Sequence, residues 1–170
     1  MNTMVQAMLS ELDHELQTTR RVLERVPEAR FDWTPHPKSM TMRALSSHLA
    51  NLLSWTMPTV EASALDLNPP GGPVYESPSY ETSAALLAAF DVNAAAARKS
   101  LSGCQDAALG EPWSLLSGGK TLLTMPRGVV LRSFILNHLV HHRGQLSVYL
   151  RQNDVPVPSI YGPSADERGM

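Results

Sequence analysis

The chain has 170 residues, 43% of them hydrophobic, and a formal net charge of −2. That length suits one domain spanning residues 1–170 with a sizeable core, and the weak, scattered charge gives no electrostatic reason to expect nucleic acid or an anionic membrane as partner. One cysteine, Cys104, rules out an internal disulfide and, with no secretory signal in MNTMVQAMLSELDHEL and no apolar stretch of membrane-spanning length, points to a cytoplasmic protein.

Met4, Met8, Leu12, Leu16, Leu23 and Val26 recur near helical spacing, with Glu11, Glu15, Arg20, Arg21 and Glu24 on other faces. This predicts an amphipathic helix over roughly 3–26, ended by Pro27. PEARFDWTPHPKS is then an extended connection, pinned to the core by Phe31 and Trp33. A second helix is predicted over about 41–61, its apolar positions Leu45, Leu49, Leu52 and Leu53 bracketing an inward His48, with Pro58 kinking or shortening the last turn.

The stretch DLNPPGGPVYESPS, residues 66–79, is too rich in Pro, Gly and Ser for regular structure and reads as a long loop bordering a pocket. Ser79 or Ser83 can cap a third helix over about 80–101, with Leu86, Leu87 and Phe90 inward and Gly103 as stop. WSLL and TLLTM, joined by SGGK, suggest a short hairpin. Pro126 suits the first turn of a last long helix reaching Gln152. The expected fold is all-α: an up-down four-helix bundle with one long crossover loop and a short β-hairpin before the last helix.

The chemistry lies in three histidines, His48 and the pair His138 and His142. A lone histidine on an apolar helix face is usually a satisfied core residue. Three among Leu, Val, Ile and Phe need a partner for every ring nitrogen, and a metal ion satisfies one nitrogen of each. Spacing four puts His138 and His142 about 40° apart around the axis, whereas His141 lies about 60° to the other side. Spacing leaves both pairings open and favours His142, since four is a common separation in helical metal pairs. Three nitrogens leave coordination positions open, as in catalytic zinc, nickel or iron sites.

Asn51 and Gln145, each one turn beyond a histidine, are candidates to orient the rings. Arg143 could steer a carboxylate or phosphate on a thiol, but a helix arginine more often faces solvent or an ion pair; Tyr75, Tyr80 and Trp113 could border a pocket mouth, but aromatic residues there more often anchor loops to the core. Nothing places Cys104 beside the histidines, and His14 and His36 read as exposed or loop-borne.

The segments FDWTPHPKSMTMRALSSHLANL and NHLVHHRGQL resemble the DinB-like superfamily of metal-dependent helical proteins, and RQNDVPVPSIYGPSADE resembles a C-terminal extension found in one of its branches. The resemblance implies His48, His138 and His142 as ligands of a divalent metal, zinc or nickel before iron, and leaves His141 outside the ligand set. Similar families include bacillithiol transferases and mycothiol-dependent maleylpyruvate isomerase, in which a metal is thought to activate a cofactor thiol. The implied activity is that of a thiol transferase using a low-molecular-weight thiol on a small-molecule substrate. A metal-dependent hydrolase activating water and a noncatalytic metal-binding protein are the alternatives. The first and third helices offer surfaces for a homodimer.

Overall fold

The computed structural model describes residues 3–167. Helix α1, Thr3–Leu23, buries Val5, Leu9, Leu12 and Leu16 along one side, and it ends before Val26, so the predicted helix is about a turn too long. Glu15, placed on an outer face by its charge, is in fact 5% exposed. A short 3-10 turn, Glu28–Arg30, leads to Phe31, which is buried, and to Trp33, whose ring meets Tyr149 edge-on at 5.2 Å.

Helix α2, Met42–Leu52, opens where Thr41 Oγ1 accepts the Ala44 N–H at 3.1 Å, satisfying one of the donors that a helix start leaves unpaired. The single helix expected over 41–61 is broken by a 3-10 turn, Leu53–Trp55, and resumes as α3, Thr56–Glu61. The break precedes Pro58 because a proline in a helix's first turn removes an N–H that has no intrahelical partner.

Strand β1, Ala64–Asp66, follows, and it corrects both the all-α expectation and the start of the predicted loop. Helix α4, Ser83–Ser102, is capped by Thr82, whose side chain accepts from the Ala85 N–H, rather than by Ser79 or Ser83. It buries Leu86, Phe90 and Leu101 and stops at Gly103, as expected. After a 3-10 turn, Asp106–Gly110, come β2, Pro112–Ser117, and β3, Lys120–Pro126. They form the predicted antiparallel hairpin. Its two-residue turn has φ +62° at Gly118 and +75° at Gly119, the pairing of positive φ values that lets a tight hairpin follow the strand twist. Strand β1 adds to β2 in parallel, Ala64 opposite Ser114, and the Asp66 carboxylate accepts the Gly118 and Gly119 N–H groups at 3.0 and 2.7 Å.

Pro126 ends β3 rather than sitting in a helix's first turn. The last helical run is continuous from α5, Arg127–Val130, through a π-helical stretch, Leu131–Leu136, into α6, Asn137–Gln152. The Asn137 N–H reaches back five residues to Arg132 O, which marks the wide turn. The protein is thus mostly helical, with a small three-stranded sheet. Helices α1 and α2 each pack against both α4 and α6. Among the described residues no helix is long and apolar enough to cross a membrane.

Two buried arginines tie these parts together. Arg127, 8% exposed, donates to the carbonyls of Thr59, Val60 and Ala62 at 2.9, 2.9 and 2.6 Å, closing the end of α3 against the sheet. Trp113, 1% exposed, donates its indole N–H to Pro58 O at 2.9 Å in the same corner. Arg143, 1% exposed, lies 2.5 Å from Glu15 Oε2 and donates to Thr19 Oγ1 at 3.2 Å and to Tyr161 Oη at 2.6 Å. Tyr161 in turn donates to Glu15 Oε1 at 2.8 Å, so α1, α6 and the C-terminal segment meet at one ion pair.

Arg143→Met leaves the Glu15 carboxylate buried without its counter-charge, and urea unfolding is expected to show a loss of about 3–5 kcal/mol, of which Glu15→Leu in the same chain restores a part. A loss under about 1 kcal/mol would mean that water reaches the pair. Arg127→Met strips three carbonyls of one charged donor and is expected to cost about 2–3 kcal/mol, again read by urea unfolding; stability equal to wild type would show those carbonyls to be solvated.

Candidate metal centre

His48 projects from the middle of α2, between Leu45 and Leu49, which are 1% and 0% exposed, so the packing of that face carries the imidazole inward. His138 and His142 project from the first turns of α6, and the ring centroids of the three histidines lie 4.6 to 5.0 Å apart. All three rings are half-buried. One nitrogen from each lies within 4.8 Å of the other two.

The hydrogen bonds fix which nitrogens face inward. His138 Nδ1 lies 3.3 Å from the Phe134 carbonyl, and His142 Nδ1 lies 2.7 Å from Gln145 Oε1. An oxygen of either kind only accepts, so the ring proton is assigned to Nδ1 in both and each neutral ring keeps a lone pair on Nε2. Those two Nε2 atoms are 2.8 Å apart, and His48 Nε2 is 3.4 Å from His138 Nε2. Two lone pairs at that separation repel unless a cation lies between them. Burial pushes the His48 pKa down to about 4, with the nearby His142 and His138 adding to the effect, and burial also lowers that of His142 against the opposing pull of Gln145. Burial therefore favours the neutral, metal-binding form of His48 and His142.

A divalent ion fits this donor set. Two imidazole nitrogens about 2.0–2.1 Å from one zinc ion, at roughly 90–110° to each other, lie about 2.8–3.4 Å apart, a range that takes in the 2.8 and 3.4 Å separations of His138 Nε2 from His142 Nε2 and His48 Nε2.

Of the two residues expected to orient the rings, Gln145 does so at His142. Asn51 does not. Its amide donates to Ser47 O and Pro78 O at 2.8 and 2.9 Å and accepts from Tyr80 Oη at 2.6 Å, so it holds the 75–80 segment instead. The orienting group that sequence reading missed is the Phe134 carbonyl, which lies inside the wide π turn; a backbone oxygen has no side-chain signature. His141 is exposed and its ring stacks edge-on against His142 at 4.9 Å, outside the cluster. His14 and His36 are exposed, as expected. Cys104 is buried after α4, and burial raises its thiol pKa, which opposes a nucleophilic thiolate.

A cavity of about 170 Å³ adjoins the cluster, with His48 and His138 in its wall together with Leu52, Trp55, Tyr75 and Phe134. Tyr75 therefore does border a pocket, while Trp113 is an anchor of the sheet.

Residues 11–146 match the DinB superfamily. A stretch of 43 residues is 49% identical to the uncharacterized protein YrdA of Bacillus subtilis strain 168, a match that covers 25% of this chain and 25% of YrdA. In fold the chain is similar to a DinB-like protein of Bacillus cereus ATCC 10987, with a TM-score of 0.69 at 19% identity over 92% of this chain and 97% of the other. It is likewise similar to the DinB-like protein YjoA of Bacillus subtilis, with a TM-score of 0.66 at 14% identity over 96% and 99% of the two chains. The sequence match runs from α1 into α6 and takes in all three clustered histidines, and on that ground the chain belongs to the DinB superfamily.

Proposed function

We propose that His48, His138 and His142 hold one divalent metal ion through Nε2, and that the protein is a metal-dependent enzyme in which an open coordination position activates a small thiol. On this reading the four long helical runs form a bundle whose facing helices α2 and α6 supply the ligands. The observation that carries it is the convergence of lone pairs: His138 and His142 each direct Nδ1–H to an oxygen, which leaves two Nε2 lone pairs 2.8 Å apart beside His48 Nε2. Zinc or nickel suits neutral imidazole nitrogens, and iron is also accepted by them. A divalent ion bound there supplies a positive charge that lowers the pKa of a thiol or of water beside it.

The chain's own contribution is orientation and exclusion of water. The Phe134 carbonyl and the Gln145 amide hold the two α6 rings in one tautomer, and the apolar cavity beside His48 and His138 keeps the reacting groups out of bulk solvent. A thiol is favoured as the nucleophile because it desolvates more readily than hydroxide in such surroundings. Water in the same position would make the protein a hydrolase.

Untagged protein purified without added metal is expected to carry about one divalent ion per chain by inductively coupled plasma mass spectrometry. His48→Ala and His142→Ala lose it, whereas His141→Ala keeps it. Wild type that carries none and takes up neither zinc nor nickel would end the metal reading. Gln145→Leu, which removes the acceptor for His142 Nδ1–H, should weaken metal affinity about 10–100-fold in a competition titration with a chelator, while circular dichroism stays unchanged. To separate thiol from water, 2-mercaptoethanol is titrated into metal-loaded and stripped protein. A thiolate absorption that appears at lower pH only with the loaded protein supports the transferase, and identical curves point to water.

A further inference from the structure

The cavity beside the histidines limits what can approach them. Its volume, about 170 Å³, is close to that of apolar protein cavities that stay dry and take up a benzene-sized molecule, on the order of 150 Å³. Among the described residues no Lys, Arg, Asp or Glu lines it. The polar groups in its wall are largely committed elsewhere. The Asn51 amide is spent on Ser47 O, Pro78 O and Tyr80 Oη. The indole N–H of Trp55 faces Tyr75 Oη at 3.5 Å. The remaining polar groups are the imidazole nitrogens, the O–H of Tyr75 and the hydroxyl of the exposed Ser77. What the wall offers besides is the aromatic side chains of Trp55, Tyr75 and Phe134 and the side chain of Leu52.

From this we infer the substrate class: an uncharged molecule whose reacting end is carried by one aromatic ring or an alkyl group of similar bulk, seated among Trp55, Tyr75, Phe134 and Leu52 and presented to His48 and His138. The inference rests on the reading of the histidine cluster as the working site, but the cavity itself is built from residues that need no metal. A carboxylate or phosphate on the buried portion would lose its hydration with no counter-charge in return. A flat ring gains contact with three aromatic side chains and gives up few rotatable bonds on binding.

Benzyl alcohol and benzoate, nearly equal in size, make the test by isothermal titration calorimetry on protein as purified and after chelator treatment. Benzyl alcohol is expected to bind one per chain in both forms. Benzoate is expected to bind at least about ten-fold more weakly to the stripped protein, where no ion can draw its carboxylate. Ser77→Trp, which brings a bulky side chain from an exposed loop position to the rim, should weaken benzyl alcohol binding at least about ten-fold at unchanged circular dichroism. In wild type the ring protons should give nuclear Overhauser contacts to the Leu52 methyl groups. Equal affinity for the two probes in stripped protein, no benzyl alcohol binding, or contacts that avoid Leu52 would overturn the assignment. A protein that binds benzyl alcohol in this way but holds no metal would instead remove the metal reading and leave the cavity's preference standing. One that holds metal but rejects benzyl alcohol would do the reverse.

Discussion

The angular setting of α6 decides everything at the site, and the buried pair of Arg143 with Glu15 sets it. Successive helix residues are about 100° apart, so an arginine held toward α1 turns the residue before it away, toward α2. Arg143 is held by Glu15, Thr19 and Tyr161 at 1% exposure, and His142 accordingly faces His48. Apolar residues at both 15 and 143 would pack at least as stably between α1 and α6, since a buried ion pair seldom stabilises a fold more than well-packed apolar side chains do. What the pair adds is direction. An apolar helix face tolerates rotation by part of a turn with modest repacking, whereas a guanidinium with three specific acceptors does not.

The same helix carries a second constraint, at its start. The π stretch Leu131–Leu136 widens the turn just before His138, and wide turns of this kind loosen the regular ladder of backbone bonds and are common at functional sites. Here a carbonyl of that stretch, Phe134 O, faces His138 Nδ1. The Phe134 ring meanwhile lines the apolar cavity. One residue therefore both selects the tautomer of a histidine and shapes the space beside it.

Much of this was legible in the sequence, for identifiable reasons. Helix positions followed from apolar spacing, Phe31 was pinned as its surroundings suggested, and Gly103 stopped α4. The choice of His142 over His141 followed from spacing and resemblance, and the cluster contains His142 and leaves His141 exposed. The misreadings came from treating residue type as location. Glu15 carries charge and was placed outside, whereas Arg143, read as solvent-facing or ion-paired, is the second of these, and Leu139, Arg143, Leu146 and Leu150 form one stripe at intervals of four, three and four, all 1% exposed or less. A charged residue inside such a stripe signals a buried partner, and that signal was present in the sequence. Strand β1 carried no local signal. Three residues, Ala64–Asp66, become a strand only because β2 lies alongside and Asp66 can bond the Gly118–Gly119 turn. Pairing between distant segments is written in neither one alone.

The cavity wall depends on α2 in the same way that the histidine pair depends on α6. Ser47 and Asn51 flank His48 on one stretch of helix, and both hold the returning chain: Ser47 Oγ accepts the Tyr80 N–H at 3.2 Å, and Asn51 binds Pro78 O and the Tyr80 hydroxyl. The strap from Tyr75 to Tyr80 borders the cavity through Tyr75 and Ser77 and is anchored at its C-terminal end to the helix turn that presents the first histidine. At its other end the Tyr75 N–H donates to Leu67 O at 2.7 Å, just beyond β1, and β1 is itself fixed by the hairpin. The sheet that seemed incidental to a helical fold thus supports the far side of the cavity. Strap and His48 share one rigid element, so a displacement of α2 that moved His48 away from α6 would also shift the aromatic wall, and the space beside the histidines keeps its shape only while the cluster keeps its own.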